Sequence, residues 1–130
     1  MVEDVLLYAT SSHDELCISC GSFYTITYLI EGYLKKDKQL QGQRKIKELR
    51  EILNGILDSF HIIGSSDGAM RRGVNDKKFS DLEDSYQAQI SEANSCDVLL
   101  TINKKHFEKF SMSSSVLVMT PKEFLEAYRD

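Results

Sequence analysis

The sequence predicts an α/β fold: a three-layer α/β/α sandwich around a mostly parallel sheet. Three observations predict it. Residues 97–101 and 115–119 are apolar runs with almost no alternation, the pattern of strands covered on both faces. Segments with apolar residues at three- and four-residue steps alternate with these runs. The 130 residues, 42% of them hydrophobic, are enough for one core without covalent staples, and the chain reads as a single domain over residues 1–130.

Val5, Leu6 and Ala9 share one side of a short opening helix, with Glu3 and Asp4 well placed at its positive end. Ser11-Ser12-His13-Asp14 breaks it. Residues 16–20 form a short apolar strand, after which Ser19 or Ser22 caps a helix carrying Phe23, Ile26, Ile30, Tyr33 and Leu34. A second helix carries Ile46, Leu49, Ile52, Leu53, Ile56 and Leu57 in one stripe. Phe60-His61-Ile62-Ile63 reads as a buried strand, stopped by Gly64-Ser65-Ser66-Asp67-Gly68, and residues 71–78 read as a polar connection.

Residues 80–93 are predicted helical, with Leu82, Tyr86, Ile90 and Ala93 inward. The strands at 97–101 and 115–119 follow. Pro121 then opens a last helix, where its missing N–H costs nothing, with Phe124, Leu125 and Tyr128 available for packing. In parallel sheets ligands sit beyond the carboxyl ends of the strands. That rule selects residues 20–22, 64–67 and 101–105 as the rim of interest.

Charge and cysteine content narrow the function. A net charge of −4 and a pI near 5.4 argue against a surface that coats nucleic acid generally, though not against a nuclease with an acidic centre. Three cysteines point to a reducing, cytoplasmic setting. No segment has the ~18 apolar residues of a membrane span, so no membrane association is expected. Cys17-Ile18-Ser19-Cys20 has the spacing of a redox dithiol, but it falls within an apolar run rather than in a loop that caps a helix.

The chemistry-bearing stretch begins at Ser80-Asp81-Leu82-Glu83, which reads as a capping box with Ser80 at the N-cap. Asp81 and Asp84 are three apart and share a face, an arrangement that can offer oxygen ligands to a divalent cation or simply face solvent. Asn103 falls just past a strand end, as a metal support or as a turn residue. His106 can serve as a base or ligand, or can simply cap or pack. Arg71, Arg72, Lys104 and Lys105 flank the acids and are candidates for phosphate contacts; the bland reading of each is a solvated loop charge.

Taken together these stretches resemble the PIN domain, the metal-dependent nuclease family of many prokaryotic toxins and RNA-processing enzymes. The matching segments are Asp81-Leu82-Glu83-Asp84, Thr101-Ile102-Asn103 at a strand end, His106-Phe107, and "SVLVMTPKEF" and "LCISCGSFYTITYL" elsewhere. The resemblance implies an endoribonuclease of toxin–antitoxin type, with Mg²⁺ or Mn²⁺ activating water for attack on a phosphodiester. RNA, an antitoxin protein and a second copy of the chain are its implied partners.

On that resemblance Asp84 matches the acid at the helix start and Asn103 a position that is acid or Asn, with Asp81 as a supporting metal ligand. Thr25 and His106 stand where the family carries acids. The family's opening strand and its Asp have no counterpart, because residues 5–9 resemble the helix that follows that strand. The expectation is therefore an incomplete metal site, impaired or inactive. A non-catalytic module that binds RNA or protein is the alternative, and a CxxC thiol redox protein a further one.

Overall fold

The structure, a computed structural model, describes residues 2–12 and 14–128. His13 lies outside the described residues, as do the side chains of Glu3 and Leu6. In chain order the elements are α1 (Val2–Ser11), β1 (Cys17–Ser19), α2 (Cys20–Lys36), α3 (Gly42–Ser59), β2 (His61–Ile63), α4 (Asp67–Asn75), α5 (Leu82–Ala93), β3 (Val98–Leu100), a 3-10 turn (Lys104–Phe107), α6 (Glu108–Ser113), β4 (Leu117–Met119) and α7 (Pro121–Tyr128).

The predicted three-layer sandwich with a mostly parallel sheet is overturned. Helix makes up 65% of the chain, and among the described residues the strands form two two-stranded sheets. β1 pairs parallel with β2, Cys17 opposite His61 and Ser19 opposite Ile63. β3 pairs parallel with β4, Val98 opposite Leu117 and Leu100 opposite Met119. The reason is local. Each apolar run yields only three ladder residues, because its ends are spent on turns and caps: Ser19 Oγ accepts from the Ser22 N–H, and Thr101 Oγ1 from the Asn103 N–H.

The chain divides into two compact units, Glu15–Ile63 and the combination of Met1–Asp14 with Gly64–Asp130. In the smaller unit the β1–β2 pair is joined by α2 and α3, with Leu34 and Leu49 buried. Tyr24, Tyr28, Leu29 and Tyr33 of α2 stay exposed.

In the larger unit the β3–β4 pair is covered on both faces. Leu99 and Val118 join a cluster with Phe79, Ala88, Phe107, Phe110 and Val116. Val98 and Met119 pack with Val5, Tyr8, Phe124 and Leu125. α4 occupies what the sequence presents as a stop and a polar connection. Ser66 caps it, its Oγ accepting from the Ala69 N–H at 3.1 Å, and only the small residues Ala69 and Gly73 are buried. A helix that packs through such small groups shows no apolar stripe.

The face of α5 differs from the predicted one for the same reason. Ser85, Ala88, Gln89, Ile90 and Ser91 are buried, while Leu82 and Ala93 are exposed and Tyr86 is half-buried. α5 meets α4 at Gly73, where a Cβ would stand 2.7 Å from Tyr86 Cδ1. The Ser85 hydroxyl donates to the Gly73 carbonyl at 2.7 Å. Size and hydrogen bonding, rather than apolarity, choose the inward face. Among the described residues no helix is long and apolar enough to cross a membrane.

Candidate functional site

The start of α5 is fixed one residue later than the sequence suggests. Asp81, not Ser80, is the N-cap, and its Oδ1 accepts from the Asp84 N–H at 3.2 Å. One of the two proposed metal-binding acids is thus engaged by its own helix terminus, where a carboxylate is favoured by the macrodipole. The cap also fixes where Asp84 points, because the first helical turn begins from it.

Asp84 reaches across to the turn after β3. Its Oδ2 lies 2.8 Å from His106 Nδ1. Two aromatic anchors hold this contact. Phe107, next to His106, is buried, and its ring meets that of Phe79 edge-to-face with centroids 5.5 Å apart. Phe79 in turn leads into the cap of α5. An ionised carboxylate only accepts hydrogen bonds, so the proton of this contact sits on Nδ1. A neutral His106 then carries its lone pair on Nε2. The imidazole side chain is 52% exposed and the Asp84 side chain 21%.

Thr101 and Asn103 shape the turn by backbone contacts. The Asn103 N–H donates to Thr101 Oγ1 at 3.0 Å, and the Asn103 carbonyl accepts from the His106 N–H at 3.0 Å. Asn103 makes no side-chain cap bond to the 3-10 turn that it precedes. Asn103 and Asp84 are therefore linked through His106, by its backbone to the first and by its ring to the second.

The basic residues separate. Lys104 is bound to Glu123 of α7, its ammonium 2.8 and 3.0 Å from the two carboxylate oxygens. Glu123 also closes a capping box with Thr120, each side chain accepting from the other's backbone N–H. The Lys104 ammonium, followed by the Thr120 N–H, holds the Glu123 carboxyl below its ordinary range. Lys105 is exposed on the same turn as His106, whereas Arg71 and Arg72 are exposed on α4. A shallow depression of about 250 Å³, lined by Lys104, Glu108, Ser111 and Met112, adjoins the turn.

Thr25 lies on α2 in the smaller unit, its hydroxyl bonded back to the Gly21 carbonyl at 3.3 Å. Cys17 and Cys20 are exposed and form no disulfide, one lying in β1 and the other opening α2. Three extended steps separate their Cα atoms by about 10 Å, beyond the ~7 Å reach of a disulfide.

The residues do not fit the metal that the resemblance implies. Among the described residues no group of three or more His, Cys, Asp or Glu side chains can hold a cation. Mg²⁺ demands near-octahedral oxygen ligation, while Asp81 is committed to a helix cap and Asp84 to an imidazole. The resemblance implies that Asp84 and His106 face one site; their direct contact is what the structure adds, between residues 22 apart in sequence whose neighbours Phe79 and Phe107 pack together. No protein-family model, no curated protein and no solved structure matches the chain.

Proposed function

We propose that the chain binds single-stranded RNA at the corner formed by the start of α5 and the turn after β3, and that its nuclease metal centre is incomplete. One observation carries the reading: the acid best matched to the metal-binding position of PIN nucleases is held at 2.8 Å by His106, a residue standing where that family carries another acid. An imidazole in that place supplies no negative charge to a cation. The local motifs supply the ligand class, and exposed Lys105, on the same turn as His106, supplies a phosphate contact, with Arg71 and Arg72 on α4 as candidates for contacts further along the strand.

Calorimetric titration with Mn²⁺ and fluorescence anisotropy with a labelled single-stranded RNA test the reading together. The expected result is RNA binding that weakens steeply with salt and is the same in EDTA as in Mn²⁺, with Mn²⁺ itself bound only in the millimolar range or not at all. Micromolar Mn²⁺ affinity that disappears in Asp84→Ala would overturn the incomplete centre. Absence of RNA binding at low salt would overturn the ligand.

A further inference from the structure

We infer that Asp84 and His106 form a proton-transfer dyad that cleaves bound RNA without a metal. The inference rests on the RNA reading above and deepens it. Its basis is the geometry of the pair: Asp84 Oδ2 bonds Nδ1, which fixes the orientation of a half-exposed ring and leaves Nε2 as its proton-accepting atom. A carboxylate that orients an imidazole through Nδ1 is the arrangement of an activated general base. The pair is held by buried Phe107 against Phe79 rather than by a flexible loop alone, which supplies the positioning that a base requires.

RNA carries its own nucleophile. Nε2 of His106 takes the proton of a ribose 2′-hydroxyl, and the freed oxygen attacks the adjacent phosphorus. The bond from phosphorus to the 5′-oxygen breaks, and that oxygen takes a proton from water. His106 returns its proton to solvent. The products are a 2′,3′-cyclic phosphate and a 5′-hydroxyl, with no redox change and no metal. Lys105, exposed on the same turn, is the cation placed to meet the phosphate, since Lys104 is already neutralised by Glu123. The other charges on the surrounding elements are Asp81 and Glu83 at the start of α5, Glu92 in its last turn, and Glu108 and Lys109 on α6.

A single positioned base contributes roughly 10²–10⁴-fold, so slow turnover is expected. The test uses the full chain in EDTA, a labelled single-stranded RNA, the same strand with 2′-deoxyribose at every position, and chromatographic identification of the new 3′ end. Expected are a cyclic phosphate from the RNA, no cleavage of the deoxy strand, and loss of cleavage to background in His106→Gln. Asp84→Asn should lower kcat on the order of 10²-fold with KM little changed, because the ring loses the partner that orients it. A merely structural role for Asp84 would leave the kcat per folded molecule at the parent value. RNA binding without His106-dependent cleavage in EDTA overturns the dyad and spares the RNA reading. No RNA binding overturns both.

Discussion

His106 Nδ1 stands 2.8 Å from Asp84 Oδ2, joining the first turn of α5 to the turn that follows β3. With the imidazole half-exposed, the contact is worth little to stability, about 0.2–1 kcal/mol by the measure of other exposed pairs. A double-mutant cycle of Asp84→Asn and His106→Gln, read by urea denaturation, should return a coupling in that range. A coupling above about 2 kcal/mol, the range of buried pairs, would make the contact a folding element, and loss of function in either variant could then reflect unfolding.

Gly73 and Gly55 should respond to alanine with opposite signs. A Cβ at Gly73 would stand 2.7 Å from Tyr86 Cδ1 and 3.2 Å from Cε1, ring atoms that cannot yield without turning the side chain. Overpacking of this kind costs about 1–3 kcal/mol, against a helix-propensity gain of about 1 kcal/mol. Gly73→Ala should therefore destabilise by roughly 1 kcal/mol, and less in a Tyr86→Ser background. Gly55, in α3, has nothing within 4 Å of its notional Cβ, so Gly55→Ala should stabilise by about 0.5–1 kcal/mol. Thermal melts of the variants decide between these signs.

Ser95 ends α5 in a left-handed conformation, with φ 54°. The Cys96 N–H donates to the Ser91 carbonyl and the Ser95 N–H to the Glu92 carbonyl, the paired bonds of a Schellman cap. A non-glycine residue there carries a strain of about 1–2 kcal/mol, and glycine loses about 0.5–1 kcal/mol in chain entropy. Ser95→Gly should gain the difference, about 0.5 kcal/mol, seen as a higher urea midpoint at unchanged slope.

Asp76 gives the fold an acid limb. Burial pushes its carboxyl up, but the Lys78 N–H at 3.0 Å, the Lys78 ammonium at 3.1 Å and the Gln89 amide at 2.9 Å together outweigh it and hold the group below its ordinary value of 3.8. A carboxyl lowered in the folded state stabilises the protein above its unfolded value, and the contribution disappears as pH falls from about there through the folded value. Asp76→Asn should be less stable than the parent at pH 7, and the gap should narrow as pH falls below 3.8 and through the lower folded value. An unchanged gap would locate the acid sensitivity elsewhere.

The sequence carried the existence of most elements but not how they combine. Apolar runs at 97–101 and 115–119 become β3 and β4, covered on both faces, because Val98 and Leu99 alternate between two clusters. Nothing in such a run states how many strands share its sheet, and here the sheets stop at two. α4 was hidden because its buried face is Ala69 and Gly73, and Leu82 was misplaced because Ser85 and Gln89 took the inward positions. At the site, the place of Asp84 in the first turn of a helix was readable in the sequence. The resemblance put His106 at the same site, but not the direct bond between the two, which depends on the packing of Phe79 with Phe107, residues remote in sequence.

Glu123 decides how much positive charge the turn after β3 can offer an RNA. It holds Lys104 at 2.8 Å while its own Oε1 accepts from the Thr120 N–H. Glutamine keeps the capping interaction, since its side-chain carbonyl accepts the same N–H, but it releases the ammonium from its ion pair. Glu123→Gln should therefore preserve α7 and add one free cation beside His106 and Lys105. RNA affinity should rise at low salt, and the logarithmic salt dependence should steepen by about 0.7, the increment for one more phosphate neutralised on a single strand. Anisotropy titrations at several salt concentrations measure both quantities. An unchanged slope with intact helical circular dichroism would mean that RNA does not approach Lys104, and would move the proposed interface away from this turn.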